Sequence, residues 1–169
     1  MSITMYDASI PVFVQTLTSI SNILGRMAEH CAARKIEPSV LLGMRLVPDM
    51  FPLTRQVQLT CDFAKGAGAR LAGVDVPSFP DTETTIDELK ARIDRTVMFL
   101  KSLPSSAIAG SEQREVKLKV GGEEMVFQGQ AYLLHFVLPN FFFHATTAYA
   151  ILRASGLDIG KMDFLGRRT

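Results

Sequence analysis

The side chains best suited to chemistry in this chain are three histidines, His30, His135 and His144, and two cysteines, Cys31 and Cys61. At about 100° per residue, His135 and His144 point to opposite sides of a common helix, so they cannot share a metal ion unless that helix is badly distorted. Asn140 and His144 are one turn apart on a shared face, with Thr147 following. Such a pair can hold a water or a polar ligand, but an amide oxygen is a weak transition-metal donor beside an imidazole. The same residues also read as buried polar groups satisfied by hydrogen bonds to a neighbouring helix. His30 falls near a helix end, where a cationic imidazole is favoured.

A second polar group, Arg55, Gln56, Gln58, Thr60 and Asp62, lies on another helical stretch. Gln56 and Gln58 point about 200° apart, so at most one is expected to face a core. Arg55 and Asp62 read as surface residues. No Ser-His-Asp order, phosphate-cradling glycine loop or paired-carboxylate spacing occurs. GAGAR from Gly66 sits inside a helical stripe and is not a dinucleotide fingerprint. The cysteines have no metal or redox spacing. Placed on antiparallel helices, they are offset by about 16 Å along the axis, which points to two reduced thiols rather than a disulfide.

Four helices must position these groups. The first runs over 6–34, with Ile10, Phe13, Leu17, Ile20, Leu24, Met27 and Cys31 along one face and Pro11 in its first turns. One or two turns are expected over 39–46. Asp49 is placed to cap a second helix ending at Leu71 before Gly73, where Gly66 and Gly68 allow close approach of a neighbour. VDVPSFPD, 74–81, is a proline-stiffened loop. A third helix opens with a Thr85–Glu88 capping box and closes at Leu103-Pro104. A fourth covers 130–154, apolar nearly all round, with Pro139 placed to kink it near His135. Between the last two helices the period changes. Val116, Leu118 and Val120 alternate with lysines, Gly121-Gly122 follows, and 123–127 returns as a second strand, pairing Lys119 with Glu124, Leu118 with Met125 and Val116 with Phe127.

With 18 Lys+Arg against 17 Asp+Glu, there is no charge excess to draw the chain to nucleic acid. The only basic cluster is Arg167-Arg168. The opening MSITMYDASI lacks the pattern of a signal peptide, so a cytoplasmic protein is expected. The stretch 131–152 carries no formal charge. Its His135, Asn140, His144, Thr146 and Thr147 fit a helix buried in a soluble bundle better than a membrane span.

YDASIPVF (6–13), RLVPDMFPLTRQVQLTCDFAKGAGARLAG (45–73) and NFFFHATTAYAILRASG (140–156) resemble a bacterial family of unknown function in the DinB/YfiT-like superfamily. The resemblance spans nearly the whole chain. It implies one all-α domain over 1–169, a four-helix bundle in up-down-down-up order with long crossovers after helices 1 and 3 and a small hairpin between helices 3 and 4, often dimeric. Characterised relatives include thiol-cofactor transferases and a maleylpyruvate isomerase, many holding a divalent metal through one histidine of helix 2 and an HxxxH pair of helix 4. Here those positions read near Gln58, then Asn140 and His144, so one ligand of three remains and no metal or other cofactor is expected. The expectation is a homodimer with a small polar pocket at Gln58, Asn140, His144 and Thr147, free to take a small molecule. The alternative is a transferase or hydrolase using His144 as general base or as the sole retained metal ligand.

Overall fold

The computed structural model describes residues 3–166, so Arg167-Arg168 lie outside the described residues. Helix α1 spans Ile10–Arg34, α2 Pro38–Leu42, α3 Leu53–Ala72, α4 Ile86–Ser102 and α5 Ser105–Ile108. A 3-10 turn, Ser111–Gln113, leads into strands β1 (Glu115–Val120) and β2 (Glu123–Gln128). Then follow α6 (Gly129–Ala131), a π-helical segment (Tyr132–Val137), α7 (Leu138–Ala154) and α8 (Lys161–Leu165).

Two helix starts differ from the sequence reading. The α1 helix begins at Ile10, because Ser9 Oγ donates to the carbonyls of Met5 and Tyr6 in a preceding turn. The α3 helix begins after Pro52 rather than at Asp49, since a proline biases the residue before it away from helical geometry. The capping box on α4 forms as read, Thr85 Oγ1 accepting from the Glu88 N–H. The hairpin takes the expected register, Val116 opposite Phe127, Leu118 opposite Met125 and Lys119 opposite Glu124. The α8 helix, which packs on α1, had no counterpart in the sequence reading.

Side-chain pairings give the directions. Gln56 meets His144, Phe63 meets Phe136 and Arg70 meets Tyr132, so α3 and α7 are antiparallel. Asp62 meets Arg92 while Gly68 lies under Leu100 and Leu103, so α3 and α4 are parallel. Lys90 lies beside Gly25, and Ile10 beside Gly68, which sets α1 against both. The order is up-down-down-up. It follows that the connection crossing the length of the bundle is 73–85, between α3 and α4. The longer connections after α1 and α4 return at the end they leave, which corrects the expected crossovers after helices 1 and 3.

The core is filled by Phe13, Leu17, Leu24 and Met27 of α1, Val57, Cys61 and Ala64 of α3, Leu89 and Ile93 of α4, and Phe141, Ile151 and Leu152 of α7. Phe13 and Phe141 meet edge to face at 4.9 Å. At Gly68 an added Cβ would lie 2.7 Å from Leu100 and 2.9 Å from Leu103, so the glycine sets the closeness of α3 to α4. Both cysteines are buried and free.

The fourth helix stays in helical geometry up to Pro139, with Val137 and Leu138 both in the right-handed helical region. It continues from 129 to 154 through the π segment. In π pairing a carbonyl bonds the N–H five residues on, as the Leu133 carbonyl does with the Leu138 N–H, and the π segment ends just before Pro139, which has no N–H to continue it. No described helix is long and apolar enough to cross a membrane.

Candidate ligand-binding cleft

His144 is buried on α7 with Nδ1 2.8 Å from Gln56 Oε1 on α3. The proton on that contact is fixed one step away. Gln56 Nε2 donates to the carbonyl of Phe51, an acceptor only, which turns Oε1 toward the ring. Nδ1 therefore carries the hydrogen, and Nε2 holds the lone pair. Burial first, and Arg55 second, push the imidazole below its ordinary range, so it is neutral at pH 7. Phe63 stacks on the ring at 5.6 Å, and Phe143 meets it edge-on.

The other residues singled out from the sequence do not gather around His144. Asn140 Nδ2 donates to the carbonyl of Phe136, and Thr147 Oγ1 to that of Phe143, each one turn back on its own helix. Gln58 faces away, donating from Nε2 to Glu83 Oε2 at 2.9 Å. Gln56 and Gln58 are both buried, against the expectation that at most one would be, because α3 is covered by α7 on one side and by α4 with its preceding loop on the other. His135 is exposed and on a different face from His144.

Gln58 belongs to an ion network built on Arg92, whose side chain is fully buried. Arg92 Nη1 donates to Glu83 and to the carbonyl of Pro80, and Nη2 reaches Asp62 and Asp81, both at 2.9 Å. Arg55 pairs with Asp81, and Lys65 with Asp62. Phe79 lies under Lys65 and Arg95. Burial alone would raise the Glu83 carboxyl, but hydrogen bonds from Gln58 and Arg92 outweigh it and hold it below its ordinary range. Burial pushes the neighbouring Cys61 thiol up to about 12, which leaves it protonated and unreactive. The network ties the crossing loop 73–85 to α3 and α4.

Beside this network an open cleft of about 500 Å³ separates α3, the π segment and the hairpin. Arg55, Asp62, Phe63 and Arg70 line it from α3, Leu118 and Lys119 from β1, and Tyr132 and Phe136 from the π segment. Phe127 backs Tyr132 and Phe136 from β2. The three rings Phe63, Tyr132 and Phe136 give the cleft an aromatic wall. Arg55 and Asp62 are committed to the ion network. Arg70 donates to Tyr132 Oη at 3.1 Å, and no carboxylate among the described residues lies within ion-pair reach of Arg70 or Lys119. A larger groove of about 720 Å³ runs between α1 and α8, but its polar side chains strap α8 down: Gln15 donates to the Leu165 carbonyl, and Arg26 pairs with Asp163.

The family model described as domain of unknown function (DUF1993) matches residues 5–165. This chain belongs to the DUF1993 family. It is similar to a DinB family member protein from Shewanella denitrificans, whose crystal structure at 1.83 Å superposes with a TM-score of 0.86 at 34% identity, covering 96% of this chain and 92% of that one. No curated protein matches this chain. The DUF1993 chain thus has the DinB-like fold, and nothing in these likenesses assigns it a reaction.

The residues of this DUF1993 chain can be tested against the three-histidine metal that the superfamily resemblance implies. The donors present are one imidazole already bonded through Nδ1, an amide turned by Phe51 and an asparagine bonded to its own helix. No cluster of three or more His, Cys, Asp or Glu suited to a metal occurs among the described residues. That set does not fit a tightly held transition-metal ion. The cleft itself escaped sequence reasoning; the spacing puts Phe63 with Arg70, seven residues apart, and Tyr132 with Phe136, four apart, each on one face of its own helix, but does not set the two faces opposite each other.

Proposed function

We propose that this chain is a small-molecule-binding protein of the DinB-like fold that works without the superfamily's metal, with the cleft between α3 and the hairpin as its site. The observation that carries this reading is a contrast in commitment. Gln56, Asn140 and Thr147 beside His144 are each bonded to protein partners, whereas the cleft leaves the half-buried rings of Phe63 and Phe136 and the Arg70 guanidinium beside open space. Pockets of this kind, apolar with a few convergent polar groups, are the usual form of small-ligand sites. The test is metal analysis of protein purified without a histidine tag, combined with a fragment screen by NMR. Sub-stoichiometric metal and shifts confined to Phe63, Tyr132 and Phe136 are expected. Stoichiometric metal, or shifts centred on His144, would overturn the reading.

A second reading rests on His144. Its neutral ring presents a lone pair at Nε2, which has no partner among the described residues and is not among their sealed, unpartnered atoms, Arg92 Nε and Ser111 Oγ. A base held in one tautomer by a buried amide is the arrangement that proton abstraction in a transferase or hydrolase requires. Under that reading His144→Ala abolishes any activity found. Under the binding reading it leaves cleft binding intact.

The same proposal places the protein in the cytoplasm as a homodimer. Two buried free thiols support a reducing compartment. Exposed Val40, Met44, Leu46, Val47 and Phe51 on the α1–α3 connection support a self-association surface. Light scattering should give twice the 18.6 kDa monomer mass, and a clean monomer would remove the claim.

A further inference from the structure

We infer that the ligand of the cleft is a small aromatic carboxylate, its ring against the half-buried Phe63 and Phe136 and its carboxylate on Arg70, which the buried Tyr132 holds in place. The inference rests on the binding reading above and deepens it. Arg70 is held for this role by two neighbours. Tyr132 Oη accepts from Nη1 at 3.1 Å and fixes one edge of the guanidinium. Gly66, one turn back on α3, leaves the space that the group occupies: a Cβ there would lie 2.5 Å from Nη1. The cation is therefore seated without being neutralised, since Asp62, the one carboxylate among the residues lining the cleft, is taken up by Arg92 and Lys65. Lys119 adds a second uncommitted positive charge on the hairpin side.

A seated guanidinium without a counter-ion binds carboxylate through two parallel N–H donors. Aromatic walls hold a flat ring by stacking and by exclusion of water. Together they select a ligand that is anionic at one end and aromatic at the other. Neutral aromatics lose the charge-assisted bonds, and small inorganic anions lose the ring contacts.

The experiment uses the whole protein and three probes: 1-naphthoate, 1-naphthylmethanol and inorganic phosphate. Binding is followed by naphthalene fluorescence, competition for phosphate, and NMR shifts of the cleft aromatics. Naphthoate is expected to bind at the cleft at least about tenfold more tightly than either comparison probe, the factor that one charge-assisted contact supplies. Arg70→Met should remove that advantage, and Arg70→Lys should recover part of it. Gly66→Leu, which fills the guanidinium's seat, should weaken naphthoate binding without affecting naphthylmethanol. Circular dichroism confirms that each variant is folded, and any unfolded variant is replaced by raised salt, which must weaken naphthoate selectively. If naphthylmethanol binds as well as naphthoate, the anionic assignment fails while the cleft reading stands. If phosphate binds as well, the aromatic assignment fails. If no probe shifts the cleft residues of the folded protein, both the inference and the reading beneath it fail.

Discussion

Gln56 Oε1 lies 2.8 Å from His144 Nδ1, joining the two helices that pack most extensively in the bundle, and the Phe51 carbonyl decides which end of the amide makes that contact. Replacing Gln56 by Leu leaves a buried N–H without an acceptor and should cost about 1–3 kcal/mol. Urea unfolding measures it directly. An unchanged midpoint would show that the pair contributes nothing in solution.

The same ring sets a pH dependence. Burial, then Arg55, holds the His144 pKa below its ordinary 6.5. The unfolded chain takes up this proton at higher pH than the folded chain does. Stability from this site is complete above pH 6.5 and is lost as pH falls from there through the folded value. His144→Asn should flatten the stability profile in that window. The lowered Glu83 carboxyl acts further down, its contribution being complete above its ordinary 4.5 and lost as pH falls through the folded value. A variant with an identical slope between neutral pH and pH 5 would refute the assignment to His144.

Arg92 gathers Glu83, Asp62, Asp81 and the Pro80 carbonyl at one fully buried guanidinium. Removing it as Arg92→Ala strands carboxylates that lose their partner and should cost about 3–5 kcal/mol. Arg92→Lys should recover little, because an ammonium cannot span acceptors on opposite sides. Limited proteolysis within 73–85 is the companion measurement, and cleavage there should accelerate. A loop equally resistant in Arg92→Ala would mean that the network does not hold it.

Gly129 follows the hairpin where a Cβ would stand 2.0 Å from the Ser111 carbonyl oxygen, a backbone atom that cannot swing aside. Gly129→Ala should destabilise by about 1–3 kcal/mol through overpacking. Gly25→Ala is the contrast. Inside α1, its Cβ would meet only Lys90 Nζ at 3.8 Å, and the helix propensity gained is up to about 1 kcal/mol. Thermal denaturation should move the two midpoints in opposite directions.

Much of the bundle was legible because its signals are local. Alternation on either side of Gly121-Gly122 is enough to set the hairpin register, and the apolar stripes of α1 and α4 name their own inner faces. The site was legible only in part. Arg92 shares a face with Leu89 and Thr96, yet a guanidinium goes inside only if carboxylates arrive, and these come from the loop that leads into α4 and from α3. Gln56 and Gln58 looked mutually exclusive because the sequence does not say that α3 is enclosed on two sides. Phe63, Arg70 and Tyr132 read as ordinary helix residues until antiparallel packing sets their rows face to face.

The π-helical stretch at 132–137 amounts to one surplus residue in an otherwise regular rod. Deleting a single amino acid there would let the rod close up, turning everything upstream by about 100° relative to α7. Tyr132 would swing off the cleft wall and Leu133 out of the core while His144 stayed put.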